Sequence, residues 1–350
     1  MTRKTHLVGA WPGHSPEHAM ETALEHLAPH LVRMTDGETG DRHLWITPSI
    51  DTFRANPDVE KIKDGTWTDY DDTALFRVRD GVTLNPDNIR LGYARAFAGS
   101  FPVFKILRER FRRPDLIFQV GIPAPVDLSV NSFGEVAFTD PSILQATTEA
   151  ATRQIREIFE VARDEVVFQI ETVTALVAVA QASDDEQPKV AAQLADGVLD
   201  LVSRAPRGAR YGAHLCLGDF HHKSYGRMRD VRPLVLFANE LARRWPDGRF
   251  LDYIHAPFAA AAEPPIPDLE FYTPLSDLAL PEKTRFVAGF IHESLDIEQN
   301  RELLERIERL AGQEVDVAAA CGLGRRPTTD QAWDAMRKAI ALIEEAPVSA

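Results

Sequence analysis

The sequence predicts an α/β protein with the fold of a (β/α)8 TIM barrel and an insertion after the second strand. Eight short apolar, β-branched segments recur along the 350 residues, and longer amphipathic segments separate most of them. Strands that alternate with helices form parallel sheets joined by right-handed crossovers, and eight such units fit a barrel of about 200 to 400 residues. The alternative is an open doubly wound sheet, but no GxGxxG turn follows the first segment.

The composition of the chain argues against several classes of protein. The chain carries 39 Lys+Arg against 53 Asp+Glu, a formal net charge of −14, and 44% of its residues are hydrophobic. The acidic excess disfavours a nucleic-acid partner or an anionic membrane surface. We find neither a membrane-spanning apolar run nor the apolar core of a signal peptide. The two cysteines agree with a reducing compartment, so we expect a cytoplasmic protein.

The eight predicted strands are bounded by turn signals and by charged helical segments. They lie at 6–11, 31–36, 116–121, 166–171, 210–215, 250–255, 285–291 and 315–320.

Five amphipathic segments are predicted as helices because their apolar residues recur at helical spacing, as Ile155, Ile158 and Phe159 do. Thr328 and Gln331 have the spacing of a capping box at the start of the last of them. The predicted helices lie at 142–163, 187–204, 231–244, 298–311 and 330–345.

Residues 43–88 form a long excursion between the second strand and its helix, rich in Asp, Thr and aromatic residues. We call it the insertion and expect it to pack as a rim or a lid. We predict a single barrel domain over 1–350.

The active site of such a barrel lies at the carboxyl ends of its strands. The fifth predicted strand ends in His214-Leu215-Cys216, and side chains two apart in a strand point the same way. Cys321 follows the eighth strand. Imidazole and thiolate are preferred zinc ligands, and catalytic zinc often has three protein ligands and one open position. His214, Cys216 and Cys321 are therefore candidate zinc ligands; the alternative is that both cysteines are merely buried.

The segments HLCLGD (214–219) and CGLG (321–324) resemble the catalytic barrel of the cobalamin-independent methionine synthase family. Further segments resemble that family in the same order: Asp36-Gly37-Glu38, Val120-Gly121-Ile122-Pro123 and Gln169-Ile170-Glu171. The resemblance covers most of the chain, and it implies the barrel and its zinc site.

In that family zinc binds the substrate thiol, which is thereby deprotonated and attacks an alkyl donor. The resemblance thus implies zinc as cofactor, with a small-molecule thiol and an alkyl donor as partners. It implies that Glu38 and Glu171 hold the ammonium group of an amino-acid thiol. Trp11 lies in a turn like the one that approaches the thiol in the family, and Asp36 and His292 are further candidates for substrate contact.

The sequence departs from the family at the sixth strand, where the family has a carboxylate ligand. That strand reads Leu251-Asp252-Tyr253-Ile254-His255, and His255 is the nearest candidate. Three roles are open for His255: a fourth zinc ligand, a general base, or a core histidine with a satisfied hydrogen bond. Because the departures affect the substrate pocket, the thiol and the alkyl donor stay unidentified.

Two other functions are compatible with the same barrel. One is a metal-free lyase or hydrolase like uroporphyrinogen decarboxylase, with Glu171 and His255 as acid and base. The other is a non-catalytic zinc-binding or ligand-binding homologue. Metal content distinguishes the metal-free enzyme from the other two.

Overall fold

The computed structural model describes residues 3–344 and contains an eight-stranded parallel sheet and one separate hairpin. The strands in chain order are β1 Thr5–His6, β2 Arg33–Met34, β3 Val59–Lys63, β4 Leu75–Val78, β5 Ile117–Pro123, β6 Val166–Thr172, β7 Arg210–Leu215, β8 Phe250–Pro257, β9 Arg285–Ile291 and β10 Asp316–Ala319.

The strand order shows a nearly closed barrel. The sheet has the strand order β2, β5, β6, β7, β8, β9, β10, β1, and each strand is parallel to its neighbours. The ring closes between β1 and β2 through two single hydrogen bonds. The backbone nitrogen of Trp11 donates to Gly37 O (3.0 Å), and the Thr35 hydroxyl donates to Gly9 O (3.0 Å). The predicted barrel is thus confirmed, and the doubly wound alternative is excluded.

Two of the predicted strands were too long. The predicted strand 31–36 contains only the two-residue strand β2, and the predicted strand 6–11 overlaps the two-residue strand β1 only at His6. Each of these has a ladder on one side alone, and β1 pairs only with Val317 and Ala318 near the end of β10. The other six strands agree with their predicted bounds to within two residues.

The helices cover the outside of the barrel, and the five predicted ones are present. The capping box is also present: Gln331 N donates to Thr328 Oγ1 at 3.3 Å, and Thr328 N donates to Gln331 Oε1 at 3.1 Å. Residue 345 of the last predicted helix lies outside the described residues. The helices are α1 Pro16–Leu27, α2 Thr47–Asp51, α3 Tyr93–Arg110, α4 Pro125–Phe133, α5 Pro141–Ala162, α6 Val173–Gln181, α7 Gln187–Arg204, α8 Arg232–Arg243, α9 Ile297–Ala311 and α10 Thr329–Glu344.

No helix among residues 3–344 is both long and apolar enough to span a bilayer.

Side chains inside the barrel include a small apolar cluster, Val167, Tyr253, Val287 and Ala318, and a network of polar groups. The Tyr253 hydroxyl donates to Gln169 Oε1 (2.8 Å) and also contacts Gln119 Oε1 (3.1 Å), while His6 Nε2 lies 3.0 Å from Gln169 Oε1. Gln169 Nε2 donates in turn to Glu171 Oε1 at 2.7 Å. This network of hydrogen bonds fixes the position of the Glu171 carboxylate through Gln169.

The insertion after β2 is confirmed. It contains the short helix α2 and the antiparallel hairpin β3–β4. Its residues 67–70 contact residues 220–223 of the loop after β7, and we call this pairing the insertion–rim contact. The Tyr70 hydroxyl donates to Lys223 O and accepts from Phe220 N, both at 3.0 Å. His221 Nε2 lies 2.9 Å from Trp67 O.

Candidate active site

Three buried side chains meet at the carboxyl end of the barrel. His214 lies in β7, Cys216 follows its last residue, and Cys321 follows β10. The two Sγ atoms are 3.6 Å apart, and Cys321 Sγ is 3.9 Å from His214 Nε2. The three ligand atoms all lie within 4.8 Å of one another. The three residues that the sequence predicts as ligands thus lie together at one end of the barrel.

The spacing of these atoms fits a single zinc ion. A tetrahedral site with Zn–S of about 2.3 Å and Zn–N of about 2.0 Å places sulfur atoms about 3.8 Å apart and sulfur about 3.5 Å from nitrogen. The observed distances are 3.6 Å and 3.9 Å. Two thiols and one imidazole are also the donor set that zinc prefers.

The histidine of this group is oriented by His255. Glu171, His214 and His255 are register neighbours on β6, β7 and β8. The Nδ1 atoms of the two histidines are 2.8 Å apart, and His255 Nε2 lies 3.0 Å from the carbonyl oxygen of Ala319. That oxygen can only accept, so His255 Nε2 carries a proton and its Nδ1 accepts from His214. The lone pair of His214 Nε2 is then directed to the cysteines.

His255 therefore has both ring nitrogens engaged. Burial, together with the neighbouring His214, lowers its pKa to about 3, which keeps the ring neutral. Gly289 on β9 makes room for it, because a Cβ atom there would lie 2.7 Å from His255 Nε2. Of the three roles considered for His255, this geometry favours a buried histidine that positions His214.

The two thiols have different surroundings. Arg325 Nη2 donates to Cys321 Sγ at 3.1 Å, and Gly218 N donates to Cys216 Sγ at 3.3 Å. The hydrogen bond from Cys216 lowers the pKa of Cys321 and raises that of Cys216, and Arg325 lowers the pKa of Cys321 further. One thiolate is thus favoured at Cys321. The sequence gave no reason to connect Arg325 with that thiol.

Two carboxylates face the same space beside the cysteines. A Cβ atom on Gly121 would lie 3.0 Å from Glu171 Oε1 and 3.2 Å from Glu38 Oε1, so both flank this glycine. Glu171 Oε2 is 3.7 Å from His214 Nε2. Burial raises the pKa of Glu38 to about 7, and burial plus the Glu38 charge raises that of Glu171. The pair is thus suited to accept a cation or to share a proton.

One cavity joins these groups to the insertion. Its wall includes Glu38, Glu171, His214, Cys216 and Cys321. The insertion contributes further residues to the wall, and they are Leu44, Trp45, Ile46, Thr47, Trp67, Asp69, Tyr70 and Thr73.

The remaining predicted substrate residues lie elsewhere. Asp36 lines a smaller recess beside Glu38, and its Oδ2 accepts from Ser100 Oγ at 2.7 Å and from Arg42. Trp11 packs edge-on against Trp333, with ring centroids 4.7 Å apart, and lines a separate cleft. His292 Nε2 lies 3.1 Å from Ala261 O. In the described part of the chain, neither Trp11 nor His292 is on the wall of the main cavity.

A buried ion network fixes the rim next to the cavity. Arg326 Nη1 donates to Asp219 Oδ2 (2.9 Å) and its Nε donates to Glu293 Oε2 (3.0 Å). His222 Nε2 is 3.0 Å from Glu293 Oε1. The network joins the loops after β7, β9 and β10.

Fold and site together define a parallel barrel protein with a buried His-Cys-Cys group at the carboxyl ends of its strands. Comparison with protein-family models and with curated protein sequences finds no match. Solved structures match over nearly the whole chain.

One similar structure is a B12-independent methionine synthase from Shewanella sp. W3-18-1 in complex with selenomethionine (TM-score 0.62, 12% identity, 98% of each chain covered). Another is a putative vitamin-B12 independent methionine synthase from Listeria monocytogenes (TM-score 0.57, 12% identity, 94% of this chain and 86% of that one). A third is a methyltransferase from Methanosarcina mazei (TM-score 0.56, 14% identity, 97% and 94%). The chain has the barrel fold of the B12-independent methionine synthases, as its motifs predicted.

Proposed function

We propose that this protein is a zinc-dependent enzyme that transfers a methyl or other alkyl group to a small-molecule thiol. The observation that carries the proposal is the meeting of His214, Cys216 and Cys321 within the reach of one ion. These residues open onto a cavity that also contains Glu38 and Glu171. The fold shared with two methionine synthases and a methyltransferase supports methyl transfer in particular.

Zinc held by these three side chains would supply one chemical property, the deprotonation of a coordinated thiol at neutral pH. The protein prepares the site for it. His255 keeps the lone pair of His214 Nε2 directed to the cysteines. Arg325 places a positive charge beside Cys321, which offsets the negative charge that a substrate thiolate would add in a buried site.

Glu38 and Glu171 would hold the cationic group of the thiol substrate. Burial raises the pKa values of both carboxyl groups, and the charge of Glu38 raises the pKa of Glu171 further. An ammonium group between the two carboxylates would reverse this effect. Binding of such a cation would also fix the position of the thiol relative to the cysteines.

The metal-free alternative requires His255 as an acid or base that faces the substrate. Its two ring nitrogens are instead engaged with His214 and Ala319 O. The geometry therefore supports the metal-dependent function better. A non-catalytic homologue would bind zinc but would not transfer an alkyl group to a thiol. An assay of alkyl transfer therefore distinguishes it from the enzyme that we propose.

Metal analysis of the purified protein and of Cys216→Ser and Cys321→Ser tests the proposal. We expect about one zinc per chain in the wild type, and its loss in both variants together with thiol alkylation activity. The control is His292→Gln, which replaces a buried histidine outside the cavity wall and keeps its zinc. Full activity in Cys321→Ser would overturn the proposal, whereas zinc without alkyl transfer to any thiol would support the non-catalytic homologue.

A further inference from the structure

Glu38 has a backbone conformation that is unusual for its residue type. Its φ of 46° lies in the left-handed region, directly after Gly37 with φ of 78°. Glycine adopts this region readily, whereas a residue with a Cβ atom is strained there. A glycine at position 38 would relieve the strain but would also remove the carboxylate. Strain that persists at such a position indicates that the side chain is required there.

The strained backbone directs the Glu38 carboxylate to a defined place. A Cβ atom on Gly9 would lie 2.8 Å from both carboxylate oxygens, and one on Gly121 would lie 3.2 Å from Oε1. The carboxylate therefore lies between two glycines that leave room for it. Because a change in φ rotates the side chain about the backbone, a relaxed Glu38 would carry its carboxylate away from this place.

Asp36 holds Glu38 in this conformation. Its Oδ1 accepts a hydrogen bond from Glu38 N at 3.1 Å, as an aspartate does in a turn with the N–H two residues on. Its Oδ2 accepts from Ser100 Oγ at 2.7 Å and from Arg42. Asp36 is only 5% exposed. The Asp36 carboxylate is thus fixed by helix α3 and by the segment before the insertion, and it cannot turn away from Glu38 N.

The effect of Asp36 on a ligand must pass through Glu38. Within residues 3–344, Glu38 is on the wall of the main cavity but Asp36 is not. Both line the smaller recess, together with Arg42. The charge of Asp36 is compensated there by Arg42, so it needs no ligand.

We propose that Asp36 is a positioning residue that fixes the Glu38 carboxylate in the main cavity through the backbone of Glu38. The proposal replaces the predicted contact between Asp36 and a substrate. It rests on the proposed function for what Glu38 binds, whereas the positioning itself requires neither zinc nor substrate. Gln169, which donates to Glu171 Oε1 at 2.7 Å, supports the other glutamate through its carboxylate.

Crystal structures of Asp36→Ala and Asp36→Asn test the positioning. In Asp36→Ala we expect Glu38 to leave the left-handed region and its carboxylate to leave the place between the two glycines. Asp36→Asn retains Oδ1 as an acceptor and should keep Glu38 where it is. The matched control is Asp140→Ala, which removes a similar hydrogen bond from Ser142 N (2.9 Å) at the start of α5. An unchanged Glu38 in Asp36→Ala would overturn the proposal.

A milder variant covers the case in which Asp36→Ala does not fold. Ser100→Ala removes one of the two groups that anchor Asp36 Oδ2 and leaves its charge in place. Hydrogen exchange of the Glu38 amide, measured by NMR, should then be about fivefold faster than in the wild type. An unchanged exchange rate in Ser100→Ala would contradict the anchoring of Asp36.

The consequence for ligand binding is measured with two small thiols, 2-aminoethanethiol and 2-mercaptoethanol, on the cobalt-substituted protein, whose absorbance reports a bound thiolate. We expect the wild type to bind the cationic thiol about tenfold more tightly than the neutral one, and Asp36→Ala and Glu38→Gln each to lose this preference. The double variant should lose no more than Glu38→Gln alone, because both changes affect one carboxylate.

Additive losses in the double variant would show that Asp36 acts independently of Glu38, which contradicts the proposal. Equal binding of the two thiols by the wild type would instead refute the cation-binding role of Glu38 in the proposed function. The crystal structures of the Asp36 variants decide the positioning in either case.

Discussion

The barrel rim and the insertion both line one cavity, but they differ in how some of their buried polar groups are paired. On the rim, His214 contacts His255, Cys216 accepts from Gly218 N, and Cys321 accepts from Arg325. On the insertion, Trp45 and Thr47 have polar atoms without partners in the described chain. The histidine and the two thiols of the rim are thus positioned by hydrogen bonds, whereas these two atoms of the insertion are not positioned in that way within the described chain.

The difference follows from how each wall is attached. Strands β7 and β10 are held on both sides by parallel ladders, which fix the direction of every side chain at their ends. The insertion leaves the barrel after β2 and reaches the far rim through the insertion–rim contact.

Of the changes that test this difference between the rim and the insertion, replacement of His255 is expected to have the largest effect. Replacement of His255 by Phe removes the hydrogen bond that orients His214, and we expect zinc affinity to fall about 10- to 100-fold. Competition with a chromophoric chelator measures the affinity. The control His292→Gln should bind zinc like the wild type. Unchanged affinity in His255→Phe would show that the rim does not need this support.

A smaller effect is expected at Tyr70, which holds the insertion to the rim by two hydrogen bonds. Tyr70→Phe should speed hydrogen exchange of the Trp67 amide about tenfold, or by about 1.4 kcal/mol, with little change in global stability. Mass spectrometry of exchanged peptides reports this. Tyr225→Phe is the control, since Tyr225 packs against Tyr70 with ring centroids 4.9 Å apart. Equal exchange in both variants would mean that the contact does not restrain the insertion.

The smallest effect concerns the pH dependence of the rim. The Asp219 and Glu293 carboxylates raise the pKa of His222 from 6.5 to about 9. A pKa raised by folding contributes stability that is complete below the unfolded value of about 6.5 and is lost as pH rises through 9. The difference in Tm between wild type and His222→Gln should therefore shrink from pH 6 to pH 9. A difference that grew over this range would contradict the assigned charge pairing.

The zinc group was predictable because its signals are local. The two-residue spacing of His214 and Cys216 places both side chains on one face of a strand, and parallel strands present their carboxyl ends at one rim. Cys321 follows the eighth predicted strand and so belongs to the same rim, and the resemblance to the methionine synthase family supplied the two glutamates. All five residues lie on the cavity wall.

Other contributions depend on contacts that a sequence does not contain. The alternation of side chains along a strand predicts that His255 faces the inside of the barrel. Its contact with His214 depends on the register between β7 and β8, which the sequence does not give. Gln119 and Tyr253 meet across the barrel, 134 positions apart in the chain. Helix α6 was not predicted, since it is almost uniformly apolar and shows no helical periodicity.

The distance along the chain between the two cysteines has a consequence for folding. Cys216 and Cys321 are separated by 105 positions, a span that includes β8, β9 and β10. A metal ion bound to both would act as a cross-link that closes a long loop, and closing such a loop removes conformational entropy from the unfolded chain. The same three side chains would then link the last three strands of the barrel to β7. Loss of the ion would therefore lower the stability of the barrel as well as the activity.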